Sequence, residues 1–502
     1  MRAPARLAWL LLAFLAGCKV GPSFAPPRES VPDRYAGASA GSTSAGEPVS
    51  FWWREFHDPE LDRLVEEVSA GNLDLKVSYV RIVEARLEVV SARAQGLPSL
   101  NASASYNREQ LGLAGILKSK GFSASSTASP QLQGLISSVE QPVNLWQVGF
   151  DASWELDLFG KVRRAVEAAN AQSQEALEAR NDMLVSLEAE VAQDYLQMRA
   201  AQELRRIVHE EVDAQREVVD LTQSRHLHGL AGEAEVDSAQ AQLSSLEAQL
   251  PEYEQTFATS RHALAVLCGE DPEKFDDRFG ASGELPALPA EVPVGVPSTL
   301  ARRRPDIRGA EAALHAATAQ IGVSVAQLFP DVSLNGSYGL RNLGTRYLFD
   351  WQSHFYTFGP TVSVPIFHGG QLLTSVRLSR AQAVEAALNY RKTVLTALQE
   401  VEDALTSLDQ DAARTASLRD TVAADQQSVR VGLDAFHHGL SSYIDVLTVQ
   451  LQTVQARQQL EQALLAQRTD LVRLYKALGG GWDGTPVPAG TAVPRSDSTI
   501  TH

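Results

Sequence analysis

Cysteine is nearly absent from this chain: of 502 residues only Cys18 and Cys268 carry a thiol. Cys268 reads as a small, buried, apolar residue at a helix end, not as chemistry. A basic excess is absent too, and a formal charge of -17 excludes a general nucleic-acid binder, which needs clustered cationic surface. The N-terminal apolar run "LAWLLLAFLAG" is too short to cross a bilayer as a mature helix. Patterns for bond chemistry are missing as well. His209-Glu210 lacks the second histidine of an H-E-x-x-H zinc site. "GASAG", Gly37 to Gly41, matches G-x-S-x-G but lies in low-complexity sequence, where no strand-turn-helix elbow can expose a nucleophile. Asp403 in "EVEDAL" reads as a mid-helix polar residue. What remains is a chain with 44% hydrophobic and 21% charged residues, an ordinary balance for a folded protein.

The N-terminus is informative. Arg2 and Arg6 precede the apolar run, which ends in Leu15-Ala16-Gly17-Cys18. That arrangement is a secretory signal over residues 1–17 and resembles the lipobox of bacterial lipoproteins, so Cys18 is expected to carry the N-terminal lipid. Lys19, where aspartate would retain the protein elsewhere, suggests sorting to the outer membrane. Loss of Arg2 and Arg6 takes the charge from -17 to -19. Residues 18–50 read as a lipid-anchored linker rich in Pro, Gly, Ala and Ser, and 483–502 as a disordered tail.

Between these ends the chain repeats itself. At an offset of 210 residues Gly160 meets Gly370, "EVAQDYL" meets "EVEDALT", "HGL" at His228 meets "HGL" at His438, and Gly269 meets Gly479. At an offset of 232, Pro98 meets Pro330 and Tyr106 meets Tyr338, so one loop is 22 residues longer in the first half. The pattern is a tandem duplication, with repeats over 51–269 and 298–482 joined by a linker over 270–297. Each repeat has the same plan. A helical run (Asp74 to Gln95; Asp306 to Gln327) leads through proline into a strand hairpin, about 99–158 and about 331–366. Long helical patterns follow over about 160–269 and 370–479, with almost no Gly or Pro as far as Arg225 or Phe436. Some sixty residues at about 1.5 Å each reach roughly 100 Å, which suggests coiled-coil packing.

The strands alternate strictly. Leu100, Ala102, Ala104 and Tyr106 alternate with Asn101, Ser103, Ser105 and Asn107; Val148 to Leu158 alternates in the same way. Val332, Leu334 and Tyr338 alternate with Ser333, Asn335 and Ser337, and Phe358, Val362, Val364 and Ile366 with Thr361 and Ser363. A membrane β-barrel with a polar lumen requires this pattern, although a half-buried soluble sheet also produces it. Four strands cannot close a lumen, and an open edge is not tolerated in lipid, so several chains must share one barrel with cyclic symmetry.

"CKVGPSFAPP" (Cys18 to Pro27), "RRRPDIRGAE" (Arg302 to Glu311) and "LYKALGGGW" (Leu474 to Trp482) resemble motifs of the OprM-like outer-membrane efflux lipoproteins, NodT-like proteins included, of the TolC superfamily. The resemblance spans Cys18 to Trp482. It implies an α+β membrane protein: a homotrimer whose twelve-stranded β-barrel, four strands per chain, continues into a periplasmic α-helical barrel. It implies the exit duct of a tripartite efflux pump, partnered by a periplasmic adaptor and an inner-membrane RND-type transporter, with outer-membrane lipid around it. No enzyme activity, cofactor or metal is expected beyond the lipid on Cys18.

In such a duct the helical turns, "HLHGLAGEAEVDSAQ" and "FHHGLSSYIDVLTVQ", should form the closable end. Gly229, Leu230, Gly439, Leu440 and Ser441 are the expected adaptor-docking residues; they also simply close the hairpins. Matching "SYIDVLTVQL" to the family's pore constriction puts Ile444 at an apolar ring and Asp445 at an acidic one. Thr448 falls where many members have a second aspartate, and Leu451 where some have a basic partner, so the gate should rely on apolar contact more than on charge. The alternative for Asp445 is a solvated helix-face acid. His226, His228, His437 and His438 near the turns could sense pH or hold metal, but exposed turn histidines are usually idle. The competing readings are a type I protein-secretion duct and a lipid-anchored coiled-coil scaffold whose strands never enter a bilayer. The exported cargo is not legible.

Overall fold

A computed structural model of the chain describes residues 19–27, 32–37, 43–44, 46–110, 142–279, 284–289, 291–438 and 440–482, without the side chains of His437, Tyr443 and Ile444. Cys18, Gly439, residues 1–17, the connection over 111–141 and the 483–502 stretch lie outside the described residues.

Two compact units divide the chain. The first holds Arg86–Ala171 and His315–Val384 with the N-terminal segment through Ala25; the second holds Pro26–Ala85, Gln172–Leu314 and the chain from Glu385. In order, the elements are β1 (Thr43–Ser44), α1 (Pro59–Gly71), α2 (Leu73–Ala94), β2 (Ser99–Glu109), β3 (Val143–Glu155), α3 (Lys161–Leu227), α4 (Glu233–Glu247) and α5 (Leu250–Leu267). There follow β4 (Val292–Pro293), α6 (Leu300–Arg303), α7 (Pro305–Ala326), β5 (Asp331–Asn342), β6 (His354–Ser363), α8 (Gln371–His437) and α9 (Tyr443–Ala477).

The first unit is built on one antiparallel sheet in the order β2-β3-β5-β6. Its register keeps like with like. Leu100 pairs with Ala152, Ala102 with Phe150, Phe150 with Tyr338, and Tyr338 with Tyr356, all on one face. On the other, Ser103 pairs with Gly149, Asp151 with Ser337, Ser153 with Asn335, and Ser337 with Thr357. A slip of one residue would mix the two sets, so the alternation in the sequence fixes the pairing. The apolar face stays exposed, with Leu100 at 70% and Phe358 at 78% of full accessibility. Both hairpins end earlier than their alternation suggests. β6 stops at Ser363, opposite Asp331, where its partner β5 begins, although Val364 and Ile366 extend the pattern. β3 stops at Glu155, leaving Leu156 N–H to donate to Val332 O at 2.8 Å.

In α3, 67 residues contain neither Gly nor Pro, and straight-chain residues with Ala dominate, so nothing interrupts the helix. At about 1.5 Å per residue it reaches roughly 100 Å. α8 also has 67 residues and a single glycine, Gly432. The return legs differ. α9 is unbroken over 35 residues, whereas the first return is split into α4 and α5. The sequence pattern suggests one continuous run there; Pro251 interrupts it, because its ring cannot donate backward and clashes with the preceding turn.

The second unit carries the main hydrophobic core, from Trp52, Phe56, Leu61 and Leu64 through Tyr195, Leu196 and Leu264 to Tyr475 and Leu478. Trp52 stacks on Tyr475 with centroids 5.5 Å apart. Two of the family-like stretches hold each other. Arg304 donates to Ala477 O at 3.0 Å and pairs with Asp306 and Glu400, both at 2.7 Å, while Trp482 Nε1 donates to Arg303 O at 2.9 Å. The inter-repeat segment is packed too: Phe275 and Phe279 are buried, and β4 pairs in parallel with β1. Cys268 is buried at the end of α5, as its sequence context suggests, and burial together with Glu67 pushes its thiol up to about 12.

Candidate functional site

The helical turns come from the ends of α3 and α8. After α3 the chain reverses through Gly229, whose φ of 72° is a left-handed value, and Leu230 N–H donates to Arg225 O at 2.8 Å. The second turn repeats this bond: Leu440 N–H donates to Ala435 O, also at 2.8 Å. Arg225 lies over the Phe436 ring at 4.7 Å. Behind the turns, Val208, Val212, Val219, Ala239, Leu243, Leu246, Phe436, Val446 and Val454 form a second core in which all four helices take part. Arg457 fastens α9 to α3 through Glu210 and Glu211, at 3.0 and 2.9 Å.

On this rigid support the turns present leucines to solvent: Leu227 is 83%, Leu230 69% and Leu440 82% exposed. Leucines exposed together at the two turns are available for contact with a partner. The turn histidines look inward to their own backbones. His226 Nδ1 donates to Ala231 O at 3.0 Å, His228 Nδ1 to Ser224 O at 2.7 Å, and His438 Nδ1 to Asp434 O at 2.8 Å. No group of three or more metal-ligating side chains occurs among the described residues.

The expected constriction residues open α9. Asp445 and Thr448 are exposed on its first turns, and Ile444 sits in the helix with its side chain outside the described atoms. Asp445 has a role that the motif comparison does not suggest. It closes a capping box: Ser442 Oγ and N–H donate to Asp445 Oδ2 at 2.8 and 3.2 Å, and Asp445 N–H donates back to Ser442 Oγ at 3.3 Å. The Ser442 hydroxyl, then its N–H, then the Ser441 hydroxyl hold the carboxyl below the ordinary 3.8. A folded-state pKa below the unfolded one means the stabilisation is complete above the ordinary value and is lost as pH falls through the folded one. Ser442→Ala should loosen the α9 start by about 0.5–2 kcal/mol. Hydrogen exchange, corrected for intrinsic rates, should show faster opening of the α9 start in that variant, and in the parent protein only at acid pH.

The polar face of the sheet forms a connected surface. Ser103 Oγ donates to Asp151 Oδ2 at 3.0 Å and Ser153 Oγ to Asn335 Oδ1 at 2.9 Å. Asn335 Nδ2 in turn donates to Ser333 Oγ and Thr361 Oγ1 at 3.0 and 3.1 Å. On the opposite face Tyr106 and Trp146 meet at 4.5 Å near one end of the strands, and Trp154 Nε1 donates to Gly96 O at 2.9 Å near the other. Trp146 and Trp154 are eight steps apart, about 26 Å along the strand, close to the roughly 25 Å apolar band of outer-membrane barrels. No described helix is long and apolar enough to cross a membrane.

A further assembly was not foreseen from sequence. The residues after Cys18 are seated in the first unit. Arg164, only 1% exposed, donates to Val20 O and Gly21 O at 3.0 and 3.1 Å and to Glu167 at 2.9 Å. Lys19 reaches Glu167 at 2.5 Å, His315 contacts it at 3.2 Å, and Phe24 stacks on His315 at 4.4 Å. Gly21 (φ 86°) passes so close to Gly322 that a Cβ on it would stand 2.6 Å from Gly322 Cα. Only the small residue at each contact point hints at this packing, and it has no periodic signal.

Comparison with known proteins agrees with this composition. The outer membrane efflux protein family matches residues 64–270 and 296–480. Nodulation protein T of Rhizobium leguminosarum bv. viciae is 32% identical over 496 residues, covering 98% of this chain and 95% of that protein. Outer membrane protein OprJ of Pseudomonas aeruginosa is 29% identical over 490 residues, covering 96% and 97%. The solved structure of the outer-membrane channel OprN superposes with a TM-score of 0.82 at 29% identity, covering 93% of this chain and 100% of that one. The two-faced sheet and the paired long helices are thus those of an outer-membrane efflux channel of the TolC type. The chain belongs to the outer membrane efflux protein family, as the three sequence motifs suggest.

Proposed function

We propose that this chain is one of three identical subunits of a lipid-anchored outer-membrane duct, the exit of a tripartite efflux pump. The sheet carries this reading. Its edge strands, β2 and β6, have one neighbour each among the described residues, while its apolar face is exposed and its opposite face is a connected polar surface. Backbone left unpaired at an edge cannot sit in lipid, and four strands cannot enclose a lumen. Three copies joined edge to edge give a twelve-stranded barrel, apolar outside and polar within. The tandem duplication is supported by helix ends repeated at the same offset: Gly269 and Gly479 have φ of 75° and 72°, and Glu270 and Gly480 donate to Ala265 O and Tyr475 O. The lipid on Cys18 would add an anchor in the same membrane.

The helical turns form the periplasmic end. Gly229, Leu230, Gly439, Leu440 and Ser441 dock the adaptor, and Ile444, Asp445 and Thr448 line the narrowing. Asp445 serves the cap and the narrowing at once, and closure here depends on apolar contact more than on charge. In the cell the adaptor passes cargo from an inner-membrane RND-type transporter, and the duct conducts it passively outward.

Native mass spectrometry of the protein extracted from outer membranes tests the assembly. A trimer, each chain starting at a lipid-modified Cys18, is the expected species; a monomer in the same detergent would contradict it. Leu230→Glu combined with Leu440→Glu should weaken adaptor binding at least about tenfold, since each leucine forfeits about 1.5–3 kcal/mol of burial, while leaving the trimer intact.

A further inference from the structure

The polar face of the sheet is not uniform. Among its described strand residues the charged side chains are acidic (Glu109, Asp151, Glu155, Asp331) with the exception of Arg341, and the one aromatic ring is Phe355. The two exceptions sit together. Phe355 pairs with Gly339, which pairs with Gly149, so neither β5 nor β3 puts a side chain in the ring's row. A Cβ on Gly339 would stand 3.1 Å from Phe355 Cε1, so the ring lies across a bed of glycine backbone. Arg341, the next residue on this face, has its guanidinium 4.5 Å from the ring centroid, and its Nε donates to Gln147 Oε1 at 3.0 Å. The stem and one edge of the guanidinium are therefore fixed. Arg341 is exposed, and no ion pair engages it among the described residues.

Its height is also defined. Gln147 and Arg341 are paired one residue from Trp146 and Asn342, at the level of the aromatic pair that ends the apolar band on the side away from Trp154. In the trimer three such arginines face one lumen at its outer end, above walls that otherwise favour cations. A fixed guanidinium with free N–H groups binds anionic oxygens, and the adjoining ring offers a flat surface for stacking.

We infer that Arg341 and Phe355 form a contact site for anionic aromatic molecules on the luminal wall near the outer mouth, a site that rests on the duct reading above. It gives departing cargo of that class a last holding point and makes the mouth discriminate by charge and flatness.

The test is single-channel recording of the full-length protein in planar bilayers, with pyrenetetrasulfonate as the anionic aromatic probe and methyl viologen as a flat cation. The current without probe reports whether each variant still forms a channel. Pyrenetetrasulfonate should block the parent channel reversibly, and the blocking concentration should rise by about tenfold or more in Arg341→Ser and in Phe355→Ser. Arg341→Lys should recover part of the block, and methyl viologen should not separate the variants. Equal block of the parent and Arg341→Ser channels overturns the site, as does a parent channel that millimolar probe leaves unblocked. A parent protein that forms no channel overturns the duct reading itself, and the site with it.

Discussion

Tyr356→Arg should eliminate the heat-resistant trimer from the outer-membrane fraction, while Ser337→Arg should leave it in place. The two positions are on adjacent strands and differ in face: Tyr356 pairs with Tyr338 on the apolar side, and Ser337 pairs with Thr357 on the polar side. Tyr356 stands near mid-height of the apolar band, level with Phe150, midway between Trp146 and Trp154. An arginine facing lipid at mid-depth costs about 2–4 kcal/mol, and threefold symmetry multiplies this to about 6–12 kcal/mol per trimer. That is comparable to the whole stability of a typical folded domain. Ser337→Arg instead puts its charge on the wetted face beside Asp151, its partner on β3. Gel electrophoresis of unheated membrane samples reads both outcomes. Equal loss of the trimer in the two variants would mean that the faces are not distinguished by lipid.

Arg164→Met should free the segment after Cys18 from its seat. The guanidinium is the most buried basic group among the described residues; it satisfies two backbone carbonyls and one of the two oxygens of Glu167. Removing one member of such a buried set costs about 3–5 kcal/mol, because the partners keep their desolvation penalty and lose their bonds. Limited trypsin digestion should then cut after Lys19 much faster than in the parent, in which Lys19 is tied to Glu167. Gly322→Ala should act in the same direction, since its Cβ would fall 2.7 Å from the Arg164 stem. The seat also has an acid limit. Burial by itself would raise the Glu167 carboxyl, but bonds from Lys19, Arg164 and His315 outweigh it and bring the carboxyl down to about 2. With the folded value below the ordinary 4.5, this stabilisation is full above that value and is lost as pH falls from there toward about 2. Tryptic release in the parent should therefore stay slow at neutral pH, and pre-incubation with a protease active in acid should show the loss.

The elements set by local rules were legible. Strand alternation gave the two faces, with Phe150 and Tyr338 on one and Ser153 and Asn335 on the other, because period two sends neighbouring side chains to opposite sides. The two 67-residue helices followed from the scarcity of Gly and Pro; Gly229 marked the end of the first, and Gly269 and Gly479 the ends of the two return legs. Features that depend on distant partners were not legible. Arg164 and Val20 are 144 residues apart, and no pattern in either stretch announces their bond. Pro251 was overlooked as a break because the residues on both sides keep the helical composition. Neither the family position of Asp445 nor its alternative as a solvated helix-face acid shows the cap, though Ser442-x-x-Asp445 is itself a capping signal. The Arg341–Phe355 pair was invisible because the strand bringing Gly339 beneath the ring must first be placed.

In the proposed duct these strands stand in a membrane with lipid on one face and water on the other. Spin labels introduced one at a time at residues 333–338, in lipid vesicles, measure this directly. Cys268 should not interfere, being buried with its thiol pushed up to about 12. Labels at 334, 336 and 338 should relax with dissolved oxygen, and labels at 333, 335 and 337 with a water-soluble nickel chelate. Uniform access of the chelate to all six positions would mean that neither face of the sheet meets lipid.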